Sequence, residues 1–508
     1  MYDLAPFRDI PLDADLLEHL LDEHRGVRLP RLARLWRYFR NDLAAPDAAG
    51  GSSGAPAQCA GLPQRLRSGS ALSDDRIRRE VVIENDIGWR IQTLVDFMFP
   101  APLRINSTAR DASLRARIEQ ALTLIINANG GMGLWQDIAL LGSVYGHIDL
   151  LVDASALFVS PHTHQHQKHQ QHASPGEAAS DPLHSRTLAT ALRNIRIQAV
   201  EAPRAIALLH PHDYRAVDAF IVHHEQLTND VARDPLMKTL FGLPLAWPFV
   251  RRDALRRQRR TIAVTEIYSA DHVQRYEDER LVSEHINHLG RVPVVHIQNL
   301  AQPFTHEGLS DVEPLIPLQD ELNTRLSDRA NRVTMQSFRM WLGKGIEGFT
   351  DRPIGPGQMW MTDNEDASIE SFGGDADSPS ERQHIEDLRE ALDKTSGVTP
   401  AAAGHINAKV GNLTSENALR ISLMGTIAKV KRKRITYGRG IAQLCELLLH
   451  ALDRSGTLPT RAADRNVELA WPDPLPADES RRLDDALRKA ELGVPLDTLR
   501  AELGYGDV

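Results

Sequence analysis

Apolar positions recur at helical spacing along most of this chain, and the longest such pattern lies near its carboxyl end. Ala418, Leu419, Leu423, Met424, Ile427 and Ala428 share one face, as do Ile441, Leu444, Cys445 and Leu448. Together they predict one helix over 414–452, about 38 residues and roughly 57 Å long. Thr414 or Ser415 is placed to cap its start. Gly425, Gly438 and Gly440 are its expected bending points. Lys429-Val430-Lys431-Arg432-Lys433-Arg434 loads its middle with cations. A helix of that length is several times the usual one and suits a span across a large assembly.

The same periodicity predicts helices over 12–43, Ser73–Met98, Asp111–Ile126, Trp135–Tyr145, Ser380–Lys394 and Asp478–Glu491, with a short one ending at Leu503. The first carries Arg25, Arg28, Arg31, Arg34, Arg37 and Arg40 beside an apolar stripe, which reads first as a solvated face. Ser310-Asp311 is a helix start signal, and Leu318, Leu322, Leu326, Ala330 and Val333 mark one face of the helix that follows. Alternating patterns predict strands at His147–Val152, Ile195–Val200, Thr261–Tyr268, His272–Tyr276 and Val292–Ile297. Short strand candidates lie at Met359–Met361 and Ser368–Phe372, within a Gly-, Pro- and Asp-rich stretch. Residues 44–60 read as a linker. Val398–Gly411 reads as a loop. The fold class expected is α+β, mainly helical.

Composition narrows the field. The 508 residues have 42% apolar and 25% charged positions and a formal net charge of −9. A protein gripping DNA through its phosphates is usually basic, so any DNA contact should be loose. Two cysteines, Cys59 and Cys445, argue against a disulfide-built fold. The amino terminus does not read as a signal peptide, and no run of apolar residues is long enough to span a membrane.

Candidate chemistry is sparse. His162, His164, His166, His169 and His172 crowd a tract that reads as a solvent-exposed insertion within 160–182 rather than a metal site. Arg251, Arg252, Arg256, Arg257, Arg259 and Arg260 read as a subunit interface or surface before a DNA contact. Gly50–Gly54 matches Gly-x-Ser-x-Gly, but in a linker and not at a strand-to-helix elbow. Glu284, His285 and His288 lack a third ligand, so a metal-dependent hydrolase is a weak alternative. The phosphate-binding loop of a packaging ATPase is missing from the sequence. No cofactor, metal or catalytic residue is expected.

The order of these parts resembles the bacteriophage portal protein family of long-tailed phages. Ile83–Phe97 is similar to an early family helix that opens on an Asn and ends on a Val-Asp pair. Ile138–His147 resembles a helix followed by Tyr-Gly, and Asp311–Asn323 resembles a first stem helix. Gly411–Arg420 is similar to the entry of the family's long helix, with Glu416 where glycine is common. Pro476–Leu503 resembles its helical tail.

The resemblance implies a ring of subunits, usually twelve, at one vertex of a viral capsid, through which double-stranded DNA enters and leaves. It maps a wing to 1–307, a first stem helix to 308–340, a clip to 341–378 and a second stem helix to 379–396. A tunnel loop falls at 397–413, the long kinked wing helix at 414–454 and a short crown at 455–508. Expected partners are the terminase large subunit, a head-to-tail adaptor, and major capsid and scaffolding proteins. Another phage head or adaptor component is the second reading. Small residues around Gly404, His405, Ile406, Asn407 and Lys409 suit a constriction that touches a sliding duplex without reading its sequence. Trp341, Lys344, Phe349 and Trp360 are either anchors for partners or the clip's own small core. The run Lys429–Arg434 is expected to meet acidic groups of a neighbouring subunit before DNA.

Overall fold

The computed structural model describes residues 2–7, 9–43, 56–67, 80–158, 186–227, 261–337, 340–344, 365–372, 379–404, 420–475 and 479–503. The chain is α+β and mainly helical. It divides into two compact units, one of Met1–Trp36, Ile91–Asp311 and Gly404–Val508, the other of Arg37–Arg90 and Val312–Ala403.

In the first unit, Asp13 caps the helix Ala14–Glu23 by accepting from the Leu16 N–H at 2.8 Å. A π-helical turn at His24–Arg28 leads into the helix Leu29–Arg40. Strand β1 (Arg104–Ser107) pairs antiparallel with Val467–Ala470. Helices Ala112–Ala128 and Met132–Tyr145 follow, and Gly146, at φ 95°, turns the chain into β2 (His147–Asp153). A side chain at Gly146 would run into the Gly308 carbonyl, so this turn needs glycine on both counts.

β2 is the middle of a three-stranded antiparallel sheet, flanked by β3 (Arg196–Val200) and later by β9 (Val294–Gln298). Between them β4 (Ala205–His210), β5 (Asp213–Leu227), β6 (Thr261–Tyr268), β7 (His272–Glu277) and β8 (Arg280–Ile286) form a meander. Successive residues of β5 serve two cores, because strand side chains alternate faces. Ala219 and Ile221 join Phe7 and, from the helix Ala14–Glu23, Leu17 and Leu21, whereas Phe220 and Val222 join Leu151 and Val200 of the smaller sheet.

The second unit is built on two helices. A 3₁₀ turn at Glu313–Leu315 leads into the outgoing helix Ile316–Ser337. β10 (Met340–Lys344) then pairs antiparallel with β11 (Ser368–Phe372), Met340 opposite Phe372 and Lys344 opposite Ser368. The returning helix Pro379–Ser396 buries Ile385, Leu388 and Leu392 along one stripe and packs on the outgoing helix. Gly397, at φ 69°, stops it.

Two expectations change. Residues 80–85 are extended, and the helix predicted from Ser73 begins at Asp86. The long helix is Met424–Arg454, 31 residues or about 46 Å, and a turn at Leu423 separates it from helical residues 420–422. That break falls where Leu423 turns inward between the exposed Ile421 and Met424. Gly425, Gly438 and Gly440 all lie within continuous helix. Ser310 and Asp311 are buried, Ser310 donating to the Val144 carbonyl and Asp311 accepting from Lys433, and the helical turn that leads into the outgoing helix begins at Glu313. Thr414 and Ser415, Met359–Met361, the His tract, Arg251–Arg260 and Gly50–Gly54 lie outside the described residues.

Candidate functional site

The cationic run of the long helix is sorted by helical geometry. Lys429 and Lys433, one turn apart, point inward, while Lys431 and Arg432 between them are exposed. Lys433, fully closed to solvent, donates to Asp311 at 2.8 Å and to the Ser143 hydroxyl at 2.5 Å. Lys429 reaches the other Asp311 oxygen at 2.7 Å. Asn299 donates to Asp311 at 2.9 Å and accepts from the Tyr437 hydroxyl at 3.0 Å. Burial alone would raise the Asp311 carboxyl. The ammonium groups of Lys433 and Lys429, each also donating a hydrogen bond, outweigh it and hold that carboxyl well below the usual range.

Arg434 donates to the carbonyls of Phe97 and Met98, both at 3.0 Å, and lies over the Trp471 ring. Lys429 and Lys433 thus find their acidic partner, Asp311, within their own chain. A run of six basic and apolar letters does not disclose which two cations face inward until the long helix is docked on Asp311.

In the second unit the outgoing helix carries a ladder that its apolar face does not announce. Gln319, Asn323, Ser327 and Asn331 are spaced one turn apart and meet the extended residues 80–84. Asn331 accepts from the Glu80 N–H at 2.9 Å and donates to its carbonyl at 2.8 Å. Ser327 accepts from the Val82 N–H at 3.0 Å, and Asn323 from the Glu84 N–H at 3.0 Å. Gln319 donates to the Glu84 carbonyl. Asn323 also donates to Gln58 at 3.0 Å, and Gln58 donates to Asn85 at 2.8 Å. These groups satisfy the backbone of a segment that forms no sheet.

Arg90 fixes the end of the returning helix. It is buried and donates to Asp393 at 2.8 Å and to the Val398 carbonyl at 2.9 Å. The chain continues through a 3₁₀ turn at Pro400–Ala403 to Gly404, which is exposed, at φ 82°, with open space where a Cβ would stand. Of the predicted loop residues only Gly404 is described; His405, Ile406, Asn407 and Lys409 lie outside the described residues. Trp341 and Lys344 share β10, where Lys344 is exposed. Phe349 and Trp360 lie outside the described residues. The outer face of the returning helix exposes Glu386, Asp387 and Glu390, and Glu390 pairs with Lys394 at 2.8 Å.

Among the described residues, Glu284, His285 and His288 belong to no group of three metal-ligating side chains, and no helix is long and apolar enough to cross a membrane.

The family model of phage portal proteins, SPP1 Gp6-like, matches residues 250–504. Among solved structures, a chain from "Neck of empty GTA particle computed with C6 symmetry" is 14% identical, with 82% of this chain and 89% of that one covered and a TM-score of 0.43. A chain from "Virion of native gene transfer agent (GTA) particle" is likewise 14% identical, with 82% and 88% covered and a TM-score of 0.41. No curated protein matches.

Proposed function

Because this chain belongs to the SPP1 Gp6-like family of phage portal proteins, we propose that it closes into a ring, of twelve copies, at one capsid vertex. The ring is the channel for double-stranded DNA during packaging and ejection. Terminase docks on it while the head fills, the head-to-tail adaptor replaces terminase afterwards, and the rim contacts capsid and scaffolding proteins. Residues 308–340 and 379–396 act as the stem, 341–378 as the clip, 397–413 as the tunnel loop and 455–508 as the crown; 1–307 and the long helix make the wing.

The observation that carries this reading is the arrangement of the second unit. Two packed helices are joined through the antiparallel β10–β11 pair, and the returning one ends in a loop anchored at its base by Arg90. Such a helix pair gives a rigid wall, its hairpin a projecting end for partners, and its loop a short element for the bore.

Charge fits a conduit in which DNA slides. Twelve copies of a −9 chain repel a polyanion overall. The exposed Glu386, Asp387 and Glu390 add no phosphate-binding well. Lys409 and His405, repeated round a ring, supply brief backbone contacts without sequence readout. In this reading the loop checks DNA from slipping back, and Trp341, Lys344, Phe349 and Trp360 anchor the packaging and tail partners.

Negative-stain electron microscopy of the purified chain tests the ring: annular particles with a central hole are expected, and small solid particles refute it. A Lys409→Glu variant tests the loop. It should form rings yet lose packaged DNA, and full retention would remove the loop from this role.

A further inference from the structure

A second buried polar cluster lies in the first unit. His147 and Asp149 are two apart on β2 and share a face, and the register of the β2–β9 pair sets His296 directly opposite Asp149. His296 Nδ1 is 2.7 Å from Asp149 Oδ1, and its Nε2 is 2.7 Å from the His306 carbonyl. The His306 ring stacks on His296 with centroids 3.7 Å apart, and its Nδ1 lies 3.3 Å from the Tyr214 carbonyl. His147 is buried at 5.4 Å from the His296 ring, its Nδ1 without a hydrogen-bond partner among the described residues. Beside them Glu307 pairs with Arg28 at 2.7 Å and Arg31 at 3.3 Å.

Counting protons gives the cluster its property. A carbonyl only accepts, so His296 Nε2 carries a hydrogen. A carboxylate oxygen and a ring nitrogen at 2.7 Å need another proton between them. Remove that one and either the Nδ1 lone pair faces the carboxylate or, after tautomerisation, the Nε2 lone pair faces the carbonyl. One of the two bonds must break. We propose that the proton shared by Asp149 and His296 is a latch that holds the 299–311 connector on the sheet, and that raising the pH loosens the connector's middle.

The far end of the connector stays pinned without it, where Asn299 donates to the Leu309 carbonyl and to Asp311. In the middle the Gln298 amide still donates to the carbonyls of Thr305 and His306, so that stretch loosens rather than detaches. Beside Thr305, Phe304 stands 87% exposed at φ 65°, a conformation that costs a non-glycine residue energy. Burial lowers the His296 imidazolium, but Asp149, the His306 carbonyl and the Glu307 charge outweigh it and raise its affinity for the proton. A raised value means the latch is full below the unfolded histidine's pKa and is lost as pH climbs through the higher folded one. Asp149, His296 and His306 are also close enough to share an ion. Both nitrogens of His296 are already committed, however, and its ring lies flat on His306 rather than fanning away from a common centre.

Hydrogen exchange of the full-length chain across neutral to alkaline pH, corrected for the intrinsic rise of exchange, is the test. Peptides over 300–309 should lose protection about tenfold or more, the worth of one charge-assisted hydrogen bond. Peptides of the helix around 441–452 should not follow. A His296→Gln variant should be loose and indifferent to pH. A flat wild-type response, or one that survives in the variant, overturns the latch. So does stoichiometric metal in the purified chain whose chelation alone frees the same peptides. If the variant does not fold, the wild-type series with its helical control still decides.

Discussion

The Lys433 ammonium sits 2.8 Å from the Asp311 carboxylate, and both side chains are closed to solvent. The pair fastens the long helix to the end of the first unit's connector. Asp311→Ala leaves two ammonium groups facing an emptied site, and should cost about 3–5 kcal/mol. Replacing Lys433 and Asp311 together by apolar residues should cost less than the two single changes added, because neither charge is then stranded. Urea denaturation of the four proteins measures the coupling. The Asp311 pKa is held low, so its stabilisation is present above the unfolded value and lost only as pH falls through the lower folded one. The Asp311→Ala deficit should therefore persist down to about pH 4.

Two glycines of the long helix, two residues apart, should respond oppositely to alanine. A Cβ at Gly440 would stand 2.3 Å from the Ile297 side chain, whereas at Gly438 it meets Trp471 at 3.6 Å, an ordinary contact. Gly438→Ala should stabilise by up to about 1 kcal/mol through helix propensity. Gly440→Ala should lose about 1–3 kcal/mol through overpacking against β9. Melting temperatures of the two variants make the comparison.

The ladder on the outgoing helix predicts a local effect. Asn323→Ala strips a partner from the Glu84 N–H and from Gln58 at once, so about 1–3 kcal/mol should be lost for each buried group left unpaired. Exchange of the amides at residues 80–84 should quicken before the helix Ile316–Ser337 itself loosens.

Acid should weaken the first unit through its histidines. Burial lowers His147 to about 4, and burial with the neighbouring His296 charge lowers His306 to about 4. A depressed histidine stabilises fully above its unfolded value, and that contribution drains away as pH falls to the folded one. Denaturant midpoints should fall between about pH 6.5 and 4, and His306→Gln should flatten part of that slope.

Much of the secondary structure is legible in the letters. The returning helix, β2, β6, β7 and β11 fall where period and alternation place them. What escapes is whatever depends on a partner remote in the chain. Residues 80–85 look helical because their extended state is held by four side chains more than 200 positions away. Lys429 and Lys433 read as cations for a neighbouring subunit because Asp311 is invisible from their neighbourhood. The ladder of Gln319, Asn323, Ser327 and Asn331 is not announced by the apolar face of that helix, which recurs at the same period. The Asp149–His296–His306 cluster gathers residues from two paired strands and a bend, which no local motif joins. Of the loop and clip residues singled out from the sequence, Gly404, Trp341 and Lys344 are described.

The ladder along Ile316–Ser337 grips residues 80–84 by their peptide groups alone. Nothing in that grip depends on which side chains the strip carries. The helix is thus tied to an evolutionary constraint, with amides and a hydroxyl demanded at four fixed positions. The strip is released from one and can be rewritten almost freely, provided proline does not remove a needed N–H. Sequence variety among relatives should therefore gather on one side of this contact, and substitutions at residues 81 and 83 should leave the partnership intact.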